Sequence, residues 1–598
     1  MKFARRAARL AAWACAATLA LAAPATARHA RNVIVFVADG LRYGSVTPER
    51  TPNMARLKAA GVDFANSHSL YPTLTTVNAS AIATGHYIGD TGDFGNVIYT
   101  GFPVMADHGS PVPFLEDDTI LAEMNVHLGG NYINEVSLLE AAHKAGYMTA
   151  AVGKLGPTRI QALTASALGT GTVIIDDKTG HVGGIGLPPG YAGAMKSAFI
   201  QSEAPPTNVP NFTQQMFLAK VATRVVLPKF QDSGKPFVML FWSRDPDASQ
   251  HGTQDSLGEL TPGIDGPTAE EGVRDADTDL GILLQALKDL GLDKTTDVFV
   301  TSDHGFTTIT KSSATSPAAH FTNDPYAPLR DLPSGFLAID VASALNLPLF
   351  DPHASFAQVD YANAKAPSEG SGYVGMDPAH PEAIVVPNGG SGLIYLPQKN
   401  APELARRLVA FLTKQDYVSG LFVNDHLGKV PGALPMSAAG LMGDARTPRP
   451  SIYVNFRSFH TACADPLMCT VEVADTPLKT GQGMHGSFSR AETRNFMAAV
   501  GPDFKTGYVD SAPISNADIT PTIAHLLGIE LPAKGRLRGR VIGEALAGGA
   551  PVKVVRQVIE SAPAAGGQKT VLDEEQVGGT RYFDAAGFPG RTVGLVTH

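Results

Sequence analysis

NVIVFVADG (residues 32–40), KPFVMLFWSRDPD (235–247) and TTDVFVTSDHG (295–305) are the stretches on which the reading of this chain turns. In each, a short apolar run leads into an aspartate: Asp39, Asp247 and Asp303. An apolar run of this length without alternation is the pattern of a strand buried on both faces of a parallel sheet. Such sheets carry their chemistry just beyond the carboxyl ends of the strands. The three aspartates are therefore placed where a site would be, and two have histidines close by: His251 four residues after Asp247, and His304 directly after Asp303.

Helical patterns alternate with these runs. TPNMARLKAAGV follows the first; SLLEAAHKA precedes YMTAAVG; ATRVVLPKF precedes PFVMLFW; EGVRDADTDLGILLQALKDLG precedes DVFVTSDHG. The alternation predicts an α/β fold with a mostly parallel sheet sandwiched by helices. Residues 320–480 are rich in Pro and Gly and hold their own pattern, SGLIYLP, NAPELARRLVAFLTKQ and SGLFVND, which reads as an inserted α+β subdomain or cap. RNFMAAVGP and ADITPTIAHLLG then return to the main sheet. The expected organisation is a catalytic domain formed by 28–319 and 481–550, the insertion 320–480, and a C-terminal extension 551–598, read as a loose tail with one hairpin.

Residues 1–27 have the layout of a secretory signal: Lys2, Arg5, Arg6 and Arg9, an Ala/Leu-rich stretch, and Ala25-Thr26-Ala27 as the cleavage site. That layout predicts a secreted or periplasmic protein. The formal net charge is −9 and becomes more negative once those basic residues leave, which argues against nucleic acid as a partner. After the leader, no segment is apolar over the roughly 18 residues a membrane span needs. Cys15 leaves with the leader, and Cys463 and Cys469 are expected to form a local disulfide.

Asp39, Asp247, His251, Asp303, His304 and His485, the last in Gly-Met-His-Gly, supply six oxygen and nitrogen ligands, enough for two metal ions. Their types suit zinc, with manganese or iron as alternatives. One aspartate is more often a cap or an ion-pair partner, and one histidine more often a satisfied core residue. The weight lies in the set, whose aspartates follow three separate strands. Tyr71-Pro-Thr-Leu-Thr-Thr-Val-Asn78 precedes a helical pattern, and a hydroxyl at a helix N-terminus lies where anions bind. Thr73, Thr75 and Thr76 compete for the role of nucleophile, against the simpler role of capping the helix.

In order along the chain, Asp39-Gly, TPNMARLKAAGV, PTLT-x-x-Asn, PDxxxH, SDHG and HG resemble the alkaline phosphatase superfamily. The branch most similar is the type I phosphodiesterase/nucleotide pyrophosphatase. The resemblance runs from about residue 32 to 545. It implies Thr75 as nucleophile, although Val77-Asn78-Ala79 stands where that branch has Pro-Asn-His, so Thr76 stays in reserve. It also implies one zinc held by Asp39, Thr75, Asp303 and His304, a second held by Asp247, His251 and His485, and Asn96 as donor to a phosphoryl oxygen. The reaction implied is hydrolysis of a small-molecule phosphate ester through a phosphothreonine.

The metal core serves diesters and monoesters alike. Monoesterases of the superfamily with a threonine nucleophile add a Lys and an Arg from a K-x-R-like segment; here Lys154 and Arg159 follow the strand YMTAAVG at a different spacing. The expectation is phosphodiester or pyrophosphate cleavage, with alkaline phosphomonoesterase activity as the alternative and a non-catalytic metal-containing binding protein as a third. Sulfatases need a Cys or Ser nucleophile, absent at this position, and lipid-linked phosphoethanolamine transferases carry membrane spans. The leaving group, the oligomeric state and the identity of the metal are not written in the motifs.

Overall fold

The computed structural model describes residues 31–163, 171–320 and 331–596. The proposed leader lies outside the described residues. Eight strands form the main sheet, in the order Tyr508–Asp510, Val62–Phe64, Met497–Val500, Thr296–Thr301, Asn32–Ala38, Phe237–Ser243, Met148–Gly153 and Val173–Asp176. Asn32–Ala38 lies at its centre, parallel to Phe237–Ser243 on one side and Thr296–Thr301 on the other. Met497–Val500 runs antiparallel to both of its neighbours. The expected α/β fold with a mostly parallel, helix-flanked sheet is borne out.

The apolar runs have the structural cause anticipated for them. Val33, Val35 and Val37 pack into the core on one face of the sheet, and Ile34, Phe36 and Ala38 into the core on the other. Both faces are buried, so alternation with polar residues is absent. Helices Pro52–Ala60, Phe212–Val221 and Pro267–Asp289 cover the second face. Helices Thr75–Thr84, Leu138–Lys144 and Ile519–Leu527 cover the first.

A second eight-stranded sheet lies within residues 349–456, in the order Ala357–Gln358, Leu349–Asp351, Gly372–Val374, Ala383–Asn388, Ser391–Tyr395, Ile452–Phe456, Val418–Val423 and Leu434–Pro435. Its pairs are antiparallel except the last. Helices Phe336–Leu345 and Ala401–Leu412 pack on one face. The other face sends Ile384, Val386, Leu393 and Tyr453 into the core that holds Leu74 and Val77, which flank Thr75 and Thr76. A small sheet links the two regions: Ser458–His460, Thr470–Val473, Thr307–Thr310 and Gly483–Met484 pair in that order, which brings His485 back beside His304.

Cys463 and Cys469 are joined, as expected. The C-terminal segment differs from the loose tail anticipated: Val554–Glu560, Val571–Val577 and Thr580–Gly587 form a three-stranded antiparallel sheet, with Leu572, Phe583 and Ala586 in the main core. No helix among the described residues is long and apolar enough to cross a membrane.

Candidate active site

The carboxyl end of the main sheet gathers the residues that sequence singled out. Asp39 directly follows the central strand, Asp247 begins the short helix Asp247–Gly252 after the neighbouring strand, and Asp303 and His304 follow Thr296–Thr301. The backbone N–H of Asp247 donates to the carbonyl of Asp39 at 3.0 Å, tying the two strand ends together. His251 lies one turn beyond Asp247 on that helix, a spacing that puts both side chains on one face.

Two overlapping groups result. Asp247, His251 and His485 converge, as do Asp39, Asp247 and His304, with all ligand atoms of each group within 4.8 Å of one another. His251 Nε2 is 3.2 Å and His485 Nε2 3.5 Å from Asp247 Oδ1. His304 Nε2 is 3.2 Å from Asp303 Oδ2 and 3.5 Å from Asp39 Oδ1. The imidazoles of His304 and His485 stack with centroids 3.6 Å apart. Each histidine turns its other nitrogen to a backbone carbonyl: His251 Nδ1 donates to Gly483 at 2.9 Å, His304 Nδ1 to Gly305 at 2.9 Å and His485 Nδ1 to Thr73 at 2.8 Å. A carbonyl accepts only from N–H, so Nδ1 carries the proton of each neutral ring and Nε2 faces the carboxylates, the tautomer a metal ligand requires.

The electrostatics fit cations. Asp39 Oδ1, Asp247 Oδ1 and Asp303 Oδ2 are buried with no hydrogen-bond donor. Burial pushes Asp39 up to about 7, against the pull of Lys154. Burial, then Asp39, raises Asp303 well above the usual carboxylate range. Burial, then His485, holds His304 well below its ordinary value. Burial alone would raise Asp247, but the charges of Lys154 and then His251 hold it well below. Buried carboxylates with orphaned oxygens, facing the Nε2 atoms of three histidines, make a donor set that suits divalent cations.

Thr75 is the first residue of the helix Thr75–Thr84. Its Oγ1 lies 3.3 Å from His304 Nε2 and 3.5 Å from Lys154 Nζ. The competing threonines are turned elsewhere. Thr76 Oγ1 donates to Asp93 at 3.0 Å, and Thr73 Oγ1 to Glu492 at 2.7 Å. Asn96 Oδ1 accepts from the backbone N–H of Thr76 at 3.0 Å, which assigns Nδ2 as the donor, and Nδ2 donates to Glu116 Oε1 at 3.1 Å.

Lys154 lies deeper in the site than a strand-end lysine in solvent would. Its Nζ pairs with Asp39 at 2.9 Å and with Asp247 and Glu116 at 3.2 Å each. Burial works against its charge, but Asp247, Asp39 and Glu116 together raise its pKa well above the ordinary lysine value. Arg159 lies on the short helix Pro157–Ile160; burial lowers its pKa, offset by the charges of Asp118 and Asp176. Two residues after Lys154 stands Gly156, where a Cβ would come within 2.6 Å of Glu116 Cα.

Several contributors escaped the sequence. Trp242 Nε1 donates to Asp39 Oδ2 at 2.7 Å; an indole at the end of a buried strand needs an acceptor, a signal that was available. Glu492 accepts from Thr73 Oγ1, from the backbone N–H of Gly486 at 2.7 Å and from that of Ser487 at 2.7 Å, and so fixes the turn carrying His485. Glu116 has no flag in residue type or spacing. A further group, His86, Asp90 and Glu135, also comes together. Its carboxylates are taken up by backbone N–H groups of Asp444, Lys534, Gly535 and Leu537, so it clamps loops.

Over residues 33–361 the chain matches the family model of type I phosphodiesterase / nucleotide pyrophosphatase, more than half of its length. It belongs to that family. Membership places it in the alkaline phosphatase superfamily, among hydrolases of small phosphate esters. The matched stretch contains the threonine segment 71–78 and every sequence-derived site residue except His485, which the small linking sheet returns to the phosphodiesterase core. No curated protein matches the chain.

Proposed function

We propose that this member of the family is an exported two-metal hydrolase that cleaves phosphodiesters or pyrophosphates, nucleotide-like in kind, through a phosphothreonine at Thr75. The observation carrying the reading is the Thr75 hydroxyl, which starts a helix and lies 3.3 Å from His304 at the edge of the Asp/His clusters. Export rests on the leader-like residues 1–27 and the Cys463–Cys469 disulfide.

Asp39, Asp303, His304 and Thr75 would hold one divalent cation, zinc by donor type, and Asp247, His251 and His485 the other; bound there, the pair supplies Lewis acidity for the attacking and leaving oxygens. Thr75 Oγ gives up its proton to solvent and attacks phosphorus in line with the leaving oxygen: the Oγ–P bond forms, the P–O bond to the leaving group breaks, and the leaving oxygen takes a proton from solvent. Asn96 Nδ2, the donor end of the amide, donates to a nonbridging oxygen. The leaving group has room in a cavity of about 540 Å3 lined by Leu74, Asn96, His353, Phe356, Asn388 and Met484, which runs from the residue before Thr75 to loops of residues 320–480. Water then attacks the phosphothreonine, the P–Oγ bond breaks, and the hydroxyl is restored.

The diester reading draws on family membership and on the three carboxylates that share the Lys154 charge. The monoester reading has one observation in its favour, Lys154 Nζ at 3.5 Å from Thr75 Oγ1. Hydrolysis of bis(4-nitrophenyl) phosphate and 4-nitrophenyl phosphate, with and without chelator, tests both. Expected are a higher kcat/KM on the diester, loss of turnover with chelator, and a fall of about 10^4-fold or more in Thr75→Ala, the scale of removing a nucleophile. Thr75→Ala at wild-type rates would refute the mechanism, and a preference for the monoester would move the assignment to phosphomonoesterase.

A further inference from the structure

We propose that Glu116 sets the charge selectivity of the phosphoryl site, disfavouring dianionic monoesters by placing a carboxylate against both donors that would meet the nonbridging oxygens. Its Oε1 accepts from Asn96 Nδ2 at 3.1 Å, and its Oε2 pairs with Lys154 Nζ at 3.2 Å. The Glu116 side chain is only 10% exposed and Lys154 3%, so water screens this pair weakly. The inference rests on the reading of Thr75, Asn96 and the metal ligands given above, and it names what selects the substrate at that site.

The backbone around Glu116 is anchored. The next residue, Asp117, caps the helix Asp118–His127 by accepting from the N–H groups of Thr119 at 2.8 Å and Ile120 at 3.3 Å. Asp117 also pairs with Lys178 at 2.7 Å. From the other side, Gly156 packs so closely that an added Cβ would lie 2.6 Å from Glu116 Cα and 2.9 Å from its Cβ. Gly156 has φ +89, a conformation that itself favours glycine, so the Lys154 loop and the Glu116 backbone are fitted to each other. The carboxylate is thereby presented to the site from a fixed support.

The consequence follows from charge. A phosphodiester brings one negative charge, and the oxygen that a monoester would ionise carries its second substituent. A monoester above its second ionisation brings roughly one charge more. Lys154 Nζ lies 3.5 Å from Thr75 Oγ1, and its charge is shared among Asp39, Asp247 and Glu116. With Glu116 in place, an added anionic oxygen beside Asn96 and Lys154 meets a like charge and a donor already in use. A neutral ester oxygen meets no such repulsion.

The test compares the metal-loaded full chain with Glu116→Gln and Glu116→Asp on the same aryl monoester and diester, together with calorimetric binding of inorganic phosphate. In Glu116→Gln the monoester-to-diester ratio of kcat/KM should rise about tenfold or more, a modest share of the interaction between unit charges several ångströms apart at intermediate dielectric. Phosphate should bind more tightly in the same variant by a similar factor. Glu116→Asp keeps the charge and should stay near the wild-type ratio, which separates charge from packing. An unchanged ratio in Glu116→Gln, or an equal fall on both substrates, would overturn the role of Glu116 while leaving the diesterase intact. If the wild type cleaves neither ester, or Thr75→Ala keeps its activity, the underlying reading falls and this inference with it.

Discussion

The two eight-stranded sheets are matched in strand number and unlike in everything that concerns chemistry. The main sheet is parallel around its centre, so three neighbouring strands end on the same side and deliver Asp39, Asp247 and Asp303 to one place. The second sheet is antiparallel, so adjacent strands end on opposite sides and no such convergence arises. What it contributes is packing. Tyr71, just before the nucleophile, stacks on Phe488 with centroids 4.0 Å apart and contacts Tyr453 of the second sheet at 5.8 Å. One sheet holds the reacting groups, and the other holds the segment that presents the hydroxyl.

Substitutions should separate these roles. After Thr75 itself, the largest effect is expected at Asp247, the residue common to both candidate ligand groups. Asp247→Asn should lower kcat/KM by about a thousandfold or more, the scale of losing a group that acts in the transition state. Its melting temperature should fall by about a few degrees or less, because Lys154 and His251, which hold the Asp247 carboxylate well below its ordinary pKa in the folded chain, lose that partner. Kinetics, metal content and thermal melts read this directly. An active Asp247→Asn would break the contrast at its catalytic end.

In the second sheet the order of effects should reverse. Leu393 is fully buried in the core it shares with Leu74. Leu393→Ala should cost about 2–5 kcal/mol of stability, as deletions of buried leucine do. At temperatures where the variant stays folded, the monoester-to-diester ratio should equal that of the wild type. A changed ratio would show that this sheet shapes the phosphoryl site itself and does more than brace it.

This division also explains what could be read from sequence. A strand buried on both faces has one solution, a continuous apolar run, and each run in the main sheet carried its ligand a few residues beyond its end. Asp39, Asp247, His251, Asp303 and His304 were legible for that reason. His485 was found by motif, because the turn that returns it lies almost two hundred residues after His304 and is fixed by Glu492 and a short sheet pairing. Glu116 was not legible: it sits in a loop before a helix cap, and only the folded chain brings it to Asn96 and Lys154. The second sheet was seen in fragments, since several of its strands are only two or three residues long. The C-terminal sheet was misread because Val554–Glu560 is mostly exposed and gives no alternation, while its partner strand buries Glu574 and Glu575 against Arg581 and Arg556.

The smallest effect expected is one of pH, and it tests whether the second sheet's helix layer is free of the functional constraint that governs the buried carboxylates of the first. Asp340, in the helix Phe336–Leu345, accepts from Ser316 Oγ at 2.9 Å, the N–H of Ala318 at 2.8 Å and Tyr417 Oη at 2.8 Å. Burial nevertheless pushes it from 3.8 to about 7. Between those values the folded protein keeps a proton that the unfolded chain has released. The resulting stabilisation is complete below the unfolded value and is lost as pH rises through the folded one. Asparagine keeps one acceptor oxygen, offers a donor to the Tyr417 hydroxyl, and does not titrate. Asp340→Asn should therefore gain on the wild type as pH goes from 5 to 8, narrowing the fall in melting temperature by about one or two degrees in a chain of this size. The slope should shrink without vanishing, because Asp93 and Asp297 are also raised to about 7 by burial. Parallel melting profiles for the two proteins would mean that Asp340 ionises alike in both states, and kcat/KM should be indifferent to the change whichever slope is observed.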